Sequence, residues 1–143
     1  MTALSITTGN FSIGGRTSVT SVGGVGTYNL SGGTLSAASA IRVGAVGVGT
    51  FNQSAGTVIA SGGVDIATIA GATGTYEFDG GTLRTLNVTS SSAANSTMNF
   101  NGGVLIPTGN NNTFVTGVSQ VNVRNGGAVV DTTNFNVTIN AFL

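Results

Sequence analysis

Cysteine, histidine, lysine and tryptophan are all missing from this 143-residue chain, and proline occurs once. Without cysteine there is neither a disulfide framework nor a reactive thiol. Without histidine as well, the usual zinc, iron and copper ligand sets cannot be assembled, nor can a Ser–His or Cys–His nucleophile pair. The absence of lysine rules out a phosphate-cradling GxxxxGK[ST] loop. Charge is scarce: 6% of residues, with four arginines balancing four acids. Nothing here matches the basic footprint of a nucleic-acid binder. A net charge of zero removes the self-repulsion that keeps proteins apart, so association is favoured. The start, MTALSITTGN, has no basic segment and no apolar run, so no signal peptide is visible in the chain. No apolar stretch approaches the ~20 residues of a membrane helix, so no membrane insertion is expected.

What the chain does have is glycine and repetition. GTYNLSGGTL, from Gly26, returns as GTFNQSAGTV from Gly49, as GTYEFDGGTL from Gly74 and as TMNFNGGVL from Thr97; VNVRNGGAVV, from Val121, is a worn copy. The last glycine of each turn falls at Gly33, Gly56, Gly81, Gly103 and Gly127, and Gly9 extends the frame backwards in steps of 24, 23, 25, 22 and 24 residues. That period is the mark of a solenoid, in which no single coil buries its apolar face alone. Within each copy apolar and polar residues alternate, as in half-buried strands. No window keeps a helical i, i+3, i+4 pattern. The reading is therefore an all-β, single-stranded parallel β-helix (β-solenoid) of about six coils, filling residues 1–143 as one domain. It has an irregular first coil (1–25), regular coils (26–105) and irregular C-terminal coils (106–143).

Stacked coils set like over like. Tyr28, Phe51, Tyr76, Met98 and Val121 are expected to form one inner column, and Leu35, Val58, Leu83, Leu105 and Val129 another. Leu86 is read as inward, and Gln53 falls where Leu30 stood one coil earlier. A buried amide without partners costs ~1–3 kcal/mol. Gln53 must therefore bond inside the coil, or the register must shift. Pro107 belongs near a corner because it lacks the ladder donor, and Thr108–Thr113 (TGNNNT) reads as an extended turn. Asn29, Asn52, Glu77, Asn99 and Asn122 form an outward polar row.

The stretch GTYNLSGGTL, with VGAVGVGTFNQSAGTV after it, resembles the repeats of secreted bacterial β-solenoids, namely autotransporter passenger domains and autotransporter-associated β-strand repeats. The likeness covers residues 23 to 105. It implies a right-handed β-helix outside the cell, acting as an adhesive or structural surface.

Chemistry has little to work with. Glu77 and Asp79 are the only close acids, two apart beside a turn with Arg84 beyond it, and they read as a solvated pair rather than catalytic carboxylates. GGVGTYNL outlines a calcium nonapeptide, but Tyr28 stands where the ligand carboxylate is needed. The chain is read as no enzyme, with no catalytic, metal or cofactor site. The ends are the sharper clue, since a solenoid's terminal coils expose unpaired strand edges, and neither end carries a capping signal. Leu4, Ile6, Phe135, Val137, Ile139 and Phe142 are the expected assembly interface. The expected role is an extracellular or cell-surface structural protein that polymerises head to tail with copies of itself. The alternative is an adhesin or fibre segment, bacterial or from a phage tail, that binds a glycan or surface ligand through the outward row.

Overall fold

The computed structural model describes residues 3–7, 9–15, 23–92, 95–132 and 134–141. Every strand pairing among them is parallel, and no described residue is helical. The chain winds as a β-solenoid of about five turns, each full turn supplying three strand segments.

The first coil gives β1 (Ala3–Ile6) and β2 (Phe11–Ile13). The second gives β3 (Val25–Ala37), which bends through a corner and so fills two strand positions, then β4 (Ile41–Val43). The third repeats this with β5 (Val48–Ala60) and β6 (Val64–Ile66). The fourth splits the long strand into β7 (Thr73–Phe78) and β8 (Thr82–Thr85), followed by β9 (Val88–Thr89). The fifth has β10 (Ser96–Phe100), β11 (Val104–Pro107) and β12 (Asn111–Thr116). The sixth has β13 (Gln120–Val123), β14 (Val129–Val130) and β15 (Val137–Asn140).

Face A stacks residues 25–31 under 48–53, then β7, β10 and β13. Face B stacks β1, 34–37, 57–60, β8, β11 and β14. Face C stacks β2, β4, β6, β9, β12 and β15. Six rungs on two faces make five steps, which reconciles about five turns with the six coils expected from the sequence.

Alternation decides which side chains enter the tube. Tyr28, Phe51, Tyr76, Met98 and Val121 stand one over another in register, as the repeat predicts. Phe51, Tyr76 and Met98 are fully buried, and the Phe51 and Tyr76 rings stack at 4.6 Å between centroids. On face B the column is Leu4, Leu35, Val58, Leu83, Leu105 and Val130. Val129 was expected in that column; it pairs with outward Val104 and is 49% exposed. A Val–Val doublet carries no parity of its own, and strand pairing sets it. Face C contributes Phe11, Ile41, Val64, Val88, Val115 and Ile139. Leu86, expected inside, is 39% exposed, and Thr85 takes the inner place with its hydroxyl donating to the Asn87 carbonyl at 2.8 Å.

The corners depart from the sequence frame in three places. Leu4 lies against Leu35, so the first step is 35 − 4 = 31 residues, and Gly9 is not level with Gly33. Gly9 instead precedes β2 at the next corner, where Asn10 Oδ1 accepts from Ser39 Oγ and Ala40 N. Gly33, Gly56, Gly81 and Gly127 do take left-handed angles, but in the fifth coil that residue is Gly102 (φ 107°) and not Gly103. Gly103 instead lies against the ring of Phe78, where a side chain would have no room. The stretch 108–113 is only half a turn, because β12 begins at Asn111. Asn111 Oδ1 accepts from the Thr113 amide at 2.8 Å, and the pairing with β15 is irregular there, so polar side chains stand in for ladder bonds. Pro107 ends β11, and the ladder to the coil below continues past it, with the Thr108 amide donating to the Thr85 carbonyl at 3.0 Å.

Candidate functional site

Two surfaces stand apart from the closed interior: the outer strip of face A and the two ends of the tube. On the strip, Asn29, Asn52, Glu77, Asn99 and Asn122 lie in consecutive register, as expected from the repeat. Their side chains bond along the axis. Asn122 Nδ2 donates to Asn99 Oδ1 at 2.8 Å, Asn99 Nδ2 to Glu77 Oε1 at 2.8 Å, and Asn52 Nδ2 to Asn29 Oδ1 at 2.7 Å. Every one of these donors points toward the N-terminal end. Glu77 receives a second partner from two coils up, since Arg124 reaches it at 2.7 Å through Nη1 and at 3.3 Å through Nη2. Arg84, the cation nearest Glu77 in sequence, lies on face B in register with Ile59 and Ile106. Asp79 accepts from Asn101 Nδ2 at 2.9 Å, so both acids serve as acceptors for neighbouring coils. The Arg124–Glu77 pair is partly exposed on both sides, and Arg124→Ala is expected to cost under about 1 kcal/mol, shrinking further in high salt. A salt series of urea midpoints measures it.

Inside, the question raised by Gln53 is answered in both ways at once. Its amide is fully buried, with Nε2 donating to the carbonyls of Thr82 (3.1 Å) and Gly56 (3.3 Å) and Oε1 accepting from Tyr76 Oη at 2.6 Å. The pairing also slips by one residue just beyond it: Leu30 faces Gln53, but Ser31 faces Ala55. Burial pushes the Tyr76 hydroxyl well above its ordinary value, which keeps it a donor.

At the ends the same columns run out. The lower edges of β1, β2 and residues 25–31 have no strand partner among the described residues, and neither do the upper edges of β13, β14 and β15. The inner columns finish below on Leu4, Phe11 and Tyr28 and above on Val121, Val130 and Ile139. All but Val121 are only partly buried, whereas Leu35, Phe51, Val64 and Leu83 in mid-tube are fully buried. Beside the lower edge lies a cleft of about 180 Å³ lined by Tyr28, Leu30 and Thr34.

Of the expected interface residues, Leu4 and Ile139 therefore stand at column ends. Val137 lies beside Ile139 on the last strand, half-buried. Phe135 is off the end: it precedes β15 and lines a cleft with Arg84, Ile106 and Pro107 on the flank of the tube. The Ile6 side chain and Phe142 lie outside the described residues. Sequence reasoning placed Tyr28 and Val121 in the core and did not see that they, with Phe11 and Val130, are the terminal rungs. Column order from the repeat frame was the signal that could have found them.

No protein-family model, no curated protein and no solved structure matches the chain.

Proposed function

We propose that this chain is an extracellular structural protein that assembles end to end into a filament or surface layer. One observation carries the reading: three inner columns stop on half-covered apolar residues at one end, the same columns at the other end stop on apolar residues too, and unpaired parallel strands frame both. Covering an apolar side chain contributes ~25 cal/mol per Å² removed from water, and each unpaired strand edge is a template for another chain. The scarcity of charge lowers the cost of bringing copies together. Placement outside the cell follows from the resemblance of GTYNLSGGTL to secreted solenoid repeats.

The second reading, an adhesin or fibre segment, draws on the in-register polar strip of face A. Most of the strip's amide donors are already given to neighbouring amides or to Glu77, which weakens it as a glycan site. Sedimentation velocity and electron microscopy over a concentration series separate the two. Mean particle length is expected to grow with concentration. A monodisperse monomer at every concentration overturns the assembly reading. Glycan-array binding lost in the double variant Asn29→Ala, Asn52→Ala would then support the adhesin.

A further inference from the structure

Asparagine precedes glycine at two places in the chain, Asn101–Gly102–Gly103 and Asn125–Gly126–Gly127, and both fall at the corner from face A to face B. This dipeptide can modify itself. The glycine amide nitrogen attacks the asparagine Cγ, the new C–N bond closes a succinimide ring, and ammonia leaves. Water then opens the ring at either carbonyl, giving aspartate or isoaspartate. Glycine favours the attack because it has no Cβ to hinder the approach. The two sites share one local sequence, so a difference between them comes from the fold.

The fold treats them differently. Asn101 sits in a three-residue corner, 101–103, like 79–81 one coil below. Its side chain is held at both ends of the amide: Nδ2 donates to Asp79 Oδ1 at 2.9 Å, and Oδ1 accepts from the Gly126 amide at 2.8 Å. The attacking nitrogen is held as well, since the Gly102 amide donates to the Gly127 carbonyl at 2.9 Å. Reaction at Asn101 gives up three hydrogen bonds. The last coil's corner is two residues longer, 124–128, and Asn125 stands on it exposed. Its side chain has no hydrogen-bond partner among the described residues. Only one bond restrains the reacting groups there, from the Gly126 amide to Asn101 Oδ1.

We propose that Asn125 is a site of spontaneous deamidation, converted to aspartate and isoaspartate by its own backbone and water, and that Asn101 in the coil below restrains it by holding the Gly126 amide. The product places a carboxylate on the turn between β13 and β14, at the upper end of the tube. A chain with four arginines and four acids then has one acid in excess. Isoaspartate also routes the backbone through the side chain and so lengthens that turn by one carbon. The last coil thus carries a slow covalent clock driven by water alone.

The arginines separate the two sites for measurement, because trypsin releases Asn101 in the peptide 85–124 and Asn125 in the peptide 125–143. The folded protein is held at mildly alkaline pH, sampled over time, digested briefly and read by mass spectrometry that distinguishes isoaspartate. Asn125 is expected to react about thirtyfold faster than Asn101, since two fewer hydrogen bonds hold it. In urea the two sites should react alike. Asn101→Ala, checked for retained β-strand circular dichroism, should speed Asn125 about fivefold over the parent. A rate at Asn125 no greater than that at Asn101 in the folded parent would overturn the site, whether or not the variant folds. A folded Asn101→Ala protein with the parent's rate at Asn125 would overturn the restraint.

Discussion

Gly74→Ala is expected to destabilise the fold by at least about 3 kcal/mol, read as a fall in the urea midpoint of the strand signal. The reason lies at the corner where face C returns to face A. Gly26, Gly49 and Gly74 follow one another in the inward position two residues before the aromatic column. A Cβ at Gly74 would fall on the Val43 carbonyl oxygen, with Ala67 N and Ile66 Cγ2 each at 2.7 Å. Two of these three atoms are backbone, and Ala67 N donates to that same Val43 carbonyl at 2.8 Å, so the corner cannot yield without losing a ladder bond. Gly49 is hemmed in the same way by Gly44 and the Ile13 carbonyl. Gly109→Ala is the control, because nothing lies within 4 Å of the added methyl group and the backbone there is not left-handed. It should stay within about 0.5 kcal/mol of the parent. Equal midpoints for Gly74→Ala and the parent would mean that the coils do not close on their glycines.

The fifth coil shows what happens when that glycine is replaced. Ser96 takes the Gly74 position, and it is buried without conflict because the next coil offers a serine to match. Ser96 Oγ accepts from the Ser119 amide at 2.9 Å, and Ser119 Oγ accepts from the Ser96 amide at 3.0 Å. A side chain is thus tolerated at the corner where its polar atom finds partners. Ala67, one coil below, carries the converse cost. It holds φ 59° in the place where Gly14 and Gly44 stand in earlier coils, a left-handed angle that disfavours an L-residue by ~1–2 kcal/mol.

These corners explain what the sequence discloses and what it hides. Faces are legible because like residues recur at one period: the order Tyr28, Phe51, Tyr76, Met98, Val121 and the outer row through Asn29 and Glu77 follow from counting alone. Corners are not, because their lengths vary by a residue or more. The 31-residue first step moves Gly9 to a different corner, and the shift from Gly103 to Gly102 changes which glycine bears the turn. The position of the column ends was implicit in the repeat. The direction of the amide bonds was not, because an asparagine donates and accepts equally well and only its neighbours decide which way the ladder runs. Glu77, which can only accept while ionised, collects from Asn99 and Arg124 on its upper side and so orients that half of the strip.

The Gln53–Tyr76 pair should show the largest coupling between side chains in the molecule. Tyr76→Phe leaves Gln53 Oε1 buried without a donor, and Gln53→Leu leaves the Tyr76 hydroxyl buried without an acceptor. Each single change is expected to cost about 1–3 kcal/mol. The double variant removes both groups and restores at position 53 the leucine that Leu30 already supplies in the coil below, so its cost should be well under the sum. A double-mutant cycle from urea midpoints measures the difference, and additive losses would mean that the hydroxyl and amide do not depend on each other. The pair also predicts a pH limit. Burial raises the Tyr76 hydroxyl above its ordinary value of 10.0, so the folded state holds that proton where the unfolded chain releases it. Stability from this group is therefore complete below about pH 10 and is lost as pH rises toward the folded-state value. Tyr76→Phe should remove that part of the alkaline decline even though it lowers stability at neutral pH. An alkaline decline equally steep in the variant and the parent would place the hydroxyl in water and not in the core.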